Sequence, residues 1–390
     1  MKTILLISPY WKEPHRWMVS TVKLAELWQR LGYRVVVVCM GCGESLVTRH
    51  LSLVEKGRGT SDKRRVTVER ISETLEIHRI KDIFIPDPWN YGIAFGFTGF
   101  VRRIIKKEKP DVIVVNKILF WSSFSLILLR LTGKKVILFT DALVGITWWP
   151  RSLMPKVCAA IYAWTAGWLI LLFASKVVTF HPQSEKILKI LMIKRKTEVI
   201  PTGIGLGSGL GLEKSEGQMT ITYVGRLESV KGVDDFLASS VAIKKEYPDI
   251  KIQVVGWYKE GHPLVRKYRD EVVFTGLRDD VSEILGNSEI FVLPSYSEGL
   301  SNALMEAMSA ECACIATEVG GNRYLIQNGV SGMLYPPGDR EVLKSHLRKL
   351  IEDTAKRKSL GENARKRIEE VFDWKVVGRQ YQELFDSFTS

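Results

Sequence analysis

The chain has 390 residues, of which 46% are hydrophobic and 25% charged, a composition that excludes a disordered protein and a polytopic membrane protein. The length suits two domains of ordinary size, each with its own core. The net charge of +13 is uneven: residues 1–195 carry 31 Lys and Arg against 14 Asp and Glu, whereas residues 196–390 carry 25 against 29. The basic first half predicts an anionic partner, such as a membrane surface, a phosphorylated acceptor or nucleic acid, unless it is only a solvated face.

The first residues and the cysteines predict a cytoplasmic protein. The apolar run in Met1–Pro9 is too short for a signal peptide and is better interpreted as a buried parallel strand. The cysteines lack partners at zinc-binding spacing, so we expect free thiols in a reducing compartment. They are Cys39, Cys42, Cys158, Cys312 and Cys314.

Strand and helix patterns alternate along the first half. Apolar, β-branched runs predict strands, and apolar positions at helical spacing predict helices between them. The predicted strands are Ile4–Ile7, Val35–Cys39, Val112–Val115 and Val136–Phe139, and the predicted helices are Thr21–Leu31 and Val101–Lys107. The alternation predicts a doubly wound α/β domain over residues 1–195.

A glycine-rich stretch, Ile204–Leu212, follows the first domain. Its alternating glycines lack the Gly-Lys-Ser/Thr ending of a phosphate-binding loop, so we interpret it as a flexible interdomain linker.

The same alternation predicts a second Rossmann-like domain over residues 196–370. Its predicted strands are Thr220–Val224, Ile252–Val255, Val272–Thr275, Ile290–Leu293 and Cys314–Thr317, and its helices include Val233–Glu246 and Asn302–Ser309. The helical spacing of Trp374–Phe388, within residues 371–390, predicts a terminal helix that packs back on the first domain. Two such domains imply a cleft between them as the active site.

Two cations lie on the predicted loop between a strand ending at Gly225 and a helix beginning near Gly232. Arg226 and Lys231 would there face a helix N-terminus, an arrangement that suits a diphosphate. A basic surface turn is the alternative interpretation.

Two carboxylates follow the next predicted strand end, at Pro294. Glu298 lies before the helix and Glu306 inside it, and both would repel a diphosphate. We therefore expect hydroxyl ligands, a ribose for Glu306 and a sugar ring for Glu298, while amides of Gly299–Asn302 face an anion. An ordinary capped surface helix is the alternative.

Together these segments resemble the retaining glycosyltransferases of family 4. The similar motifs are Val199–Ile204, Gly225–Gly232, Phe274–Gly276, Glu298–Met308 and Val319–Gly321. The resemblance implies the GT-B fold, an α/β architecture of two Rossmann-like domains facing across a cleft. The first domain would bind the acceptor, the second would bind the donor, and the terminal helix would return to the first.

The resemblance also implies roles for single residues. Arg226 and Lys231 would hold the donor diphosphate, Glu298 the transferred sugar and Glu306 the ribose. The remaining donor contacts would be Gly225, Gly276, Leu277, Gly299, Leu300 and Ser301. The donor would be a nucleotide-diphosphate sugar, the anomeric configuration would be retained, and no metal or other cofactor is expected. The acidic pairs Asp234-Asp235 and Asp279-Asp280 are accordingly predicted to be solvated caps.

The first domain departs from the family pattern. Where many members have His after the strand Val136–Phe139, this chain has Thr140-Asp141, so Asp141 is predicted to take over a sugar hydroxyl contact. The first loop has no Gly-Gly pair. His15 and Arg16 in that loop either reach the acceptor or form a plain surface turn.

Between Lys156 and Lys176 lie 19 residues without a formal charge. Such a segment could span a bilayer, form a buried core helix or lie in the membrane interface. Nearby aromatic and basic residues favour the interface. They are Trp148, Trp149, Trp164, Trp168, Arg151, Lys156, Arg102, Arg103, Lys106, Lys107 and Lys109, with a further aromatic stretch, Phe84–Phe100, that has no evident core role.

The sequence therefore predicts a transferase that moves a hexose-type sugar to a hydroxyl of a lipid-linked glycan or glycolipid. It would act as a peripheral enzyme on an anionic membrane surface, at the inner face of the cell membrane. One alternative is a nucleotide-sugar epimerase of the same architecture, which the segment around Glu298 argues against. The other is a non-catalytic nucleic-acid-binding protein. No nucleic-acid partner is expected, because the basic residues form no stripe interleaved with aromatics.

Overall fold

The structure, a computed structural model, describes residues 1–12, 19–41, 66–85, 91–143, 145–147, 149, 153–206 and 218–389. The chain divides into two units. The first comprises Met1–Thr202 and Val377–Ser390, and the second comprises Gly203–Val376. The division after residue 202 lies seven residues beyond the boundary expected from the sequence.

The first unit contains an eight-stranded sheet and a two-stranded hairpin. The sheet strands are β1 (Thr3–Ile7), β2 (Arg34–Met40), β3 (Val66–Ser72), β4 (Leu75–Ile80), β7 (Val112–Asn116), β8 (Ile137–Thr140), β9 (Lys176–Thr179) and β10 (Thr197–Val199); the hairpin is β5 (Ile83–Ile85) and β6 (Tyr91–Ile93). The sheet order is β10-β9-β8-β7-β1-β2-β4-β3, parallel except for β3 with β4. The chain changes direction across the sheet between β1 and β7, and a ligand site is expected at the carboxyl ends of strands near that point.

Helices connect these strands. They are α1 (Val19–Arg30), α2 (Phe97–Glu108), α3 (Ser125–Leu131), α4 (Leu153–Tyr162), α5 (Trp168–Phe173) and α6 (Glu185–Ile190). Helix α2 begins four residues before the predicted start, after Gly96 in a left-handed conformation (φ 80°). Its extra turn buries Phe97, and Phe100 is buried with it. The expectation that Phe84–Phe100 has no core role is therefore wrong, although Phe95 is exposed.

The second unit contains a six-stranded parallel sheet. Its strands are β11 (Thr220–Val224), β12 (Lys251–Val255), β13 (Val273–Gly276), β14 (Ile290–Leu293), β15 (Ala313–Thr317) and β16 (Met333–Tyr335); its helices are α7 (Val233–Glu246), α8 (Pro263–Tyr268), α9 (Val281–Gly286), α10 (Asn302–Ser309), α11 (Asn322–Leu325), α12 (Arg340–Glu352) and α13 (Thr354–Arg367). The order β13-β12-β11-β14-β15-β16 is that of a Rossmann fold. Its topological switch point lies between β11 and β14. The two candidate loops predicted from the sequence follow these two strands.

The glycine-rich stretch is fixed at its beginning rather than flexible. Ile204 is buried, its amide donates to the Phe372 carbonyl (2.8 Å), and its own carbonyl accepts from the Trp374 amide (3.1 Å). Gly205 lies against the Trp374 ring. The flexibility predicted for this linker is thus wrong for Ile204 and Gly205, whereas its position at the division between the two units agrees with the prediction. Residues 207–217 lie outside the described ranges.

The terminal helix α14 (Trp374–Thr389) packs on the first unit, as predicted. Trp28 of α1 meets Tyr381 and Phe385 edge-on, with ring centroids 5.9 and 5.3 Å apart. The Tyr381 hydroxyl donates to the Pro201 carbonyl at 3.0 Å. The last turns of the chain therefore complete the core that α1 and β8 begin.

We expect Phe385→Ala to lower the free energy of unfolding by about 3–5 kcal/mol, because a fully buried ring leaves a cavity. Urea unfolding followed by the fluorescence of Trp28 and the other tryptophans measures this change. Glu383→Ala, at an exposed position of the same helix, serves as the control. A loss below about 1 kcal/mol for Phe385→Ala would contradict the proposed packing.

Candidate functional site

Three loops meet at the carboxyl edge of the second sheet, beside its switch point. They follow β11, β14 and β15. The Tyr296 amide donates to the Val230 carbonyl (2.9 Å), which joins the first loop to the second, and the Gly321 amide donates to the Gly299 carbonyl (3.0 Å), which joins the second to the third. The two candidate segments from the sequence therefore lie side by side and form one candidate site.

Glycines allow these loops to approach backbone to backbone. Gly232 has φ 62°, and a Cβ there would lie 2.0 Å from the Pro294 carbonyl oxygen. Gly320 has φ 47°, and a Cβ there would lie 1.9 Å from the Glu298 carbonyl oxygen. Both positions require glycine for its conformation and for its lack of a side chain. The Gly320-Gly321 motif thus has a structural role that the sequence did not reveal.

The second loop brings Glu298 to Lys231. The Lys231 ammonium lies 2.7 Å from Glu298 Oε1, and the Ser295 hydroxyl donates to the same oxygen at 2.8 Å. Both charged side chains are half-buried, so the pair lies at the edge of the sheet with limited access to solvent. Two donors to one oxygen fix the orientation of the carboxylate.

Arg226 stands on the first loop with its side chain 57% exposed. Its guanidinium lies 2.8 Å from Glu228 Oε1, and its carbonyl accepts from the Tyr223 hydroxyl at 3.0 Å. Burial raises the pKa of Tyr223, so the phenol stays a neutral donor that holds the loop. The backbone of Arg226 is thus fixed while its charged end remains accessible.

The helix after the second loop begins as predicted at Asn302. Ser301 is its N-cap, and its hydroxyl accepts from the Leu304 amide at 3.4 Å. Glu306 is half-buried in the second turn. Gly299 and Leu300, the other predicted donor contacts of this segment, are half-buried residues between Glu298 and the cap.

A shelf of glycines extends along the carboxyl ends of β11, β12 and β13. Gly225, Gly256 and Gly276 end or follow these strands, and the Gly256 amide donates to the Gly276 carbonyl (2.9 Å). A Cβ at Gly256 would lie 2.2 Å from the Gly225 carbonyl oxygen. The exposed side chains of Leu277 and Trp257 follow the shelf. The sequence analysis selected Gly225, Gly276 and Leu277 but missed Gly256. The only sequence signal for Gly256 is its position directly after a predicted strand.

The acidic pairs are not simply solvated. Asp235 is 4% exposed, and its carboxylate accepts from the Tyr296 hydroxyl and from Arg340 Nε, both at 2.6 Å. The prediction of a solvated cap is therefore wrong for Asp235, which ties α7 to the loop that carries Glu298. Asp280 is held by its neighbour Arg278 at 2.8 Å.

In the first unit, Lys117, Asp141 and His181 follow the neighbouring strands β7, β8 and β9. The Lys117 ammonium forms an ion pair with Asp141. Burial would raise the pKa of the Asp141 carboxyl, but the charge and hydrogen bond of Lys117 outweigh it and hold the pKa below its usual range. Burial lowers the pKa of His181, against the opposing effect of the Pro182 carbonyl and Asp141. Sequence reasoning selected Asp141 but missed Lys117 and His181, and His15 and Arg16 lie outside the described residues.

Ligand-type side chains approach one another at a second place in the first unit. Glu76, His78 and Glu108 lie close enough to hold a metal ion. Arg34 already bridges the two carboxylates, at 3.4 Å from Glu76 and 2.6 Å from Glu108. The guanidinium supplies the positive charge that a metal would bring, so an ion-pair network describes this cluster better.

Two family models match consecutive parts of the chain. The model described as glycosyltransferase family 4 matches residues 19–207, and the model described as glycosyl transferases group 1 matches residues 211–367. The boundary between the matches lies near the boundary between the two units.

Similar proteins carry the same description. The chain is 28% identical over 282 residues, 64% of this chain and 69% of the other, to the UDP-Gal:alpha-D-GlcNAc-diphosphoundecaprenol alpha-1,3-galactosyltransferase of Escherichia coli. It is 25% identical over 217 residues, 50% of this chain and 57% of the other, to the capsular polysaccharide biosynthesis glycosyltransferase CapM of Staphylococcus aureus. The match spans about half the length of CapM and of two further curated relatives.

A solved structure supports the fold. The sucrose-phosphate synthase of Thermosynechococcus elongatus superposes with a TM-score of 0.75 at 20% identity, covering 100% of this chain and 99% of the other. The two Rossmann-like units, the matched models and the three loops at the switch point agree, and the chain belongs to the family 4 (group 1) glycosyltransferases of the GT-B fold.

Proposed function

We propose that this protein is a retaining, metal-independent glycosyltransferase that moves a hexose from a nucleotide-diphosphate sugar to a hydroxyl of a lipid-linked glycan or glycolipid. The observation that carries the proposal is the convergence of Lys231, Glu298 and Ser295 beside the switch point of the second sheet. Loops at this point of an open α/β sheet are the expected ligand site. This geometry supports the proposed donor site. The surface of the first unit supports the proposed acceptor.

The donor would bind with its phosphates near Arg226 and Lys231. The exposed guanidinium of Arg226 can fork onto two phosphate oxygens, and Lys231, which also contacts Glu298, adds a second cation just before the N-terminus of α7. Within the described part of the chain, Lys231 and Ser295 both donate to Oε1 of Glu298, which leaves Oε2 to accept from a sugar hydroxyl. Glu306 would accept from the ribose, and the glycine shelf would lie against the ribose and the base.

The chemistry would proceed on one face of the sugar. The acceptor oxygen forms a bond to the anomeric carbon while the bond from that carbon to the phosphate oxygen breaks. The proton of the acceptor hydroxyl passes to the departing phosphate, and the two cations stabilise the negative charge that develops there. This step needs no nucleophilic side chain, and the configuration of the sugar is retained.

Arg226→Ala and Lys231→Ala should each lower turnover by about a hundredfold, because each removes a strong contact to the charge of the transition state. A thermal-shift screen of nucleotide sugars first identifies the donor, and steady-state transfer then measures turnover. Arg348→Ala is the matched control, since that exposed arginine is also paired with a carboxylate, Glu246, at 2.6 Å. Near-normal turnover by both site variants would remove the donor assignment.

Activity should persist in excess EDTA, because the two cations take the place of a metal at the diphosphate. The product should keep the anomeric configuration of the donor. Proton NMR of the product determines the configuration, and a parallel assay with added Mg²⁺ tests the metal requirement. An inverted linkage, or activity that returns only with the metal, would contradict the proposed mechanism.

The surface of α4 and α5 supports a membrane-bound acceptor. Leu153–Phe173 is a single helix, with one π turn, that is long and apolar enough to cross a membrane, and only 28% of its most apolar stretch is buried. The buried positions are Pro155, Ala159, Ala163 and Gly167 in α4 and the π turn, and the large residues Ile170 and Leu171 in α5. Six other large apolar residues of this helix are exposed: Leu153, Met154, Val157, Ile161, Trp164 and Leu169.

This arrangement disfavours a helix that is core throughout, although α5 contributes Ile170 and Leu171 to the core. A membrane span is also disfavoured, because β8 before the helix and β9 after it are paired in the same sheet and lie on the same side of any bilayer. Helix α3 packs beside α5 and exposes Leu128 and Leu131, which extends the apolar surface. An exposed apolar patch on this scale fits a helix lying in the membrane interface.

Basic residues border this apolar surface. Helix α2 packs beside α3, and its outer face consists of Arg102, Arg103, Lys106 and Lys107, with Lys109 just after the helix. Lys156 is exposed on the apolar helix itself, whereas Trp148 and Arg151 lie outside the described residues. Each basic residue near an anionic surface contributes about 1 kcal/mol. The anionic-lipid acceptor of the Escherichia coli relative, a diphosphoundecaprenol-linked sugar by its name, agrees with this proposal.

The wild-type protein should co-sediment with vesicles of phosphatidylcholine and phosphatidylglycerol, less with phosphatidylcholine alone, and less at high salt. Ile161→Glu/Trp164→Glu should weaken binding, because both side chains are exposed apolar residues of the proposed contact. Trp168 is unsuitable for the test, since it is half-buried and its indole donates to the Leu191 carbonyl (3.3 Å).

The control is Ile190→Glu/Val330→Glu, which replaces two exposed apolar residues elsewhere with the same charges. This variant should sediment like the wild type. Wild-type protein that stays in the supernatant with anionic vesicles at low salt would contradict the membrane proposal and favour a soluble acceptor.

A further inference from the structure

Lys117 has an unfavourable backbone conformation at the end of β7. Its φ is 74°, in the left-handed region that side-chain-bearing residues rarely occupy. The conformation is held because the Lys117 amide donates to the Phe139 carbonyl at 2.8 Å, which continues the pairing of β7 with β8. Glycine or asparagine would occupy this position with less strain. Strain that persists at the carboxyl end of a strand points to a role for the side chain.

The side chain of Lys117 reaches across the strand ends. Its ammonium pairs with Asp141 after β8 and lies 6.0 Å from the centroid of the Phe180 ring at the end of β9. Lys117 itself is half-buried, while the Asp141 side chain remains 35% exposed. The carboxylate therefore faces solvent at the edge where ligands of such sheets bind.

The charges of this cluster select the chemistry of its ligand. Lys117 and Asp141 neutralise each other, and His181 is buried behind them. A phosphate would meet the negative charge of Asp141, whereas at the donor site the exposed Arg226 adds a cation beside the pair of Lys231 and Glu298, so a neutral hydroxyl suits the present cluster better. A hydroxyl both donates and accepts, and two adjacent hydroxyls can donate to the carboxylate and accept from the ammonium together.

We propose that Lys117 and Asp141 form a two-point clamp for adjacent hydroxyls of a sugar, in which Lys117 both orients Asp141 and donates to the second hydroxyl. The clamp rests on the proposed glycosyl transfer and names Lys117 as a further specificity-determining residue for it. The sugar is either the hexose of the donor or a sugar of the acceptor, and both present the same chemistry.

Lys117→Gly tests the clamp, because glycine suits the left-handed backbone and removes the ammonium. The melting temperature should stay within a few degrees of the wild type or rise, while transfer falls by about tenfold to a hundredfold, as for the loss of a charged hydrogen bond. Lys117→Asn should give the same result as Lys117→Gly, because asparagine also tolerates a left-handed backbone. Asp141→Asn combined with Lys117→Gly should cost little more than either alone, because the pair acts as a unit.

Met192→Gly is the matched control. Met192 also has a left-handed backbone in the first unit (φ 60°), and its side chain is exposed. It should leave transfer unchanged.

Two kinetic measurements identify the sugar. If the clamp holds the donor hexose, the Lys117 variants should lower the rate of slow nucleotide-sugar hydrolysis without acceptor as well as the rate of transfer. If it holds the acceptor, that hydrolysis is unchanged and the KM for the acceptor rises. Binding of the nucleoside diphosphate, measured by calorimetry, should be unchanged in either case.

A wild-type protein that transfers sugar while both Lys117 variants keep its kcat and both KM values would overturn the clamp and leave the proposed function standing. Loss of folding in both variants would overturn it too, because Lys117 would then be structural. A wild-type protein that binds and transfers no nucleotide sugar would overturn the proposed function and the clamp with it.

Discussion

The candidate donor site depends on contact between backbones that have no side chain between them. At Gly232 and Gly320 a single added carbon would lie about 2 Å from a carbonyl oxygen of the loop after β14. Any side chain would push the loops apart by more than a hydrogen bond tolerates. The 2.7 Å contact between Lys231 and Glu298 therefore requires the absence of side chains at positions that touch neither charged group. In the proposed site the charges would act on the donor, and the glycines determine where the charges stand.

The same dependence explains what the sequence could predict in the second unit. The bounds of α7 and α10 and the strand β11 follow from local patterns, and the structure has them where the patterns predict. Arg226, Lys231 and Glu298 flank these elements and so could be selected. Asp235 could not be judged, because its partners Tyr296 and Arg340 lie 61 and 105 residues away in the chain. Local sequence shows that an acid begins a helix but does not show what will bury it.

The first unit is harder to predict, because its chemistry is assembled from three strand ends. Lys117, Asp141 and His181 are separated by more than twenty residues at each step, and no spacing motif joins them. The left-handed backbone of Lys117 is invisible in the sequence, since the residue type argues against it. The aromatic residues of α2 were misjudged for a different reason: the helix begins at Phe97, four residues before the predicted start, and Phe97 and Phe100 belong to its buried face.

The helix Leu153–Phe173 shows why composition alone could not decide between core and membrane. Hydropathy counts apolar residues without saying which side they face. Here Ala159 and Ala163 pack against the turn after β8, where a Cβ on Gly145 would lie 2.2 Å from the Ala159 carbonyl oxygen. Close packing of these small residues leaves Val157, Ile161 and Trp164 outside, whereas Ile170 and Leu171 further along are buried. Burial of large side chains stabilises a helix on a core by about 25 cal/mol per Å². The part of the helix that forgoes this gain exposes apolar surface to water at a cost, and a second apolar phase against Ile161 and Trp164 would remove that cost. In both units, then, small residues bring backbones together. The proposed binding depends on larger side chains beside these contacts, which the close packing places at the surface or at the candidate site.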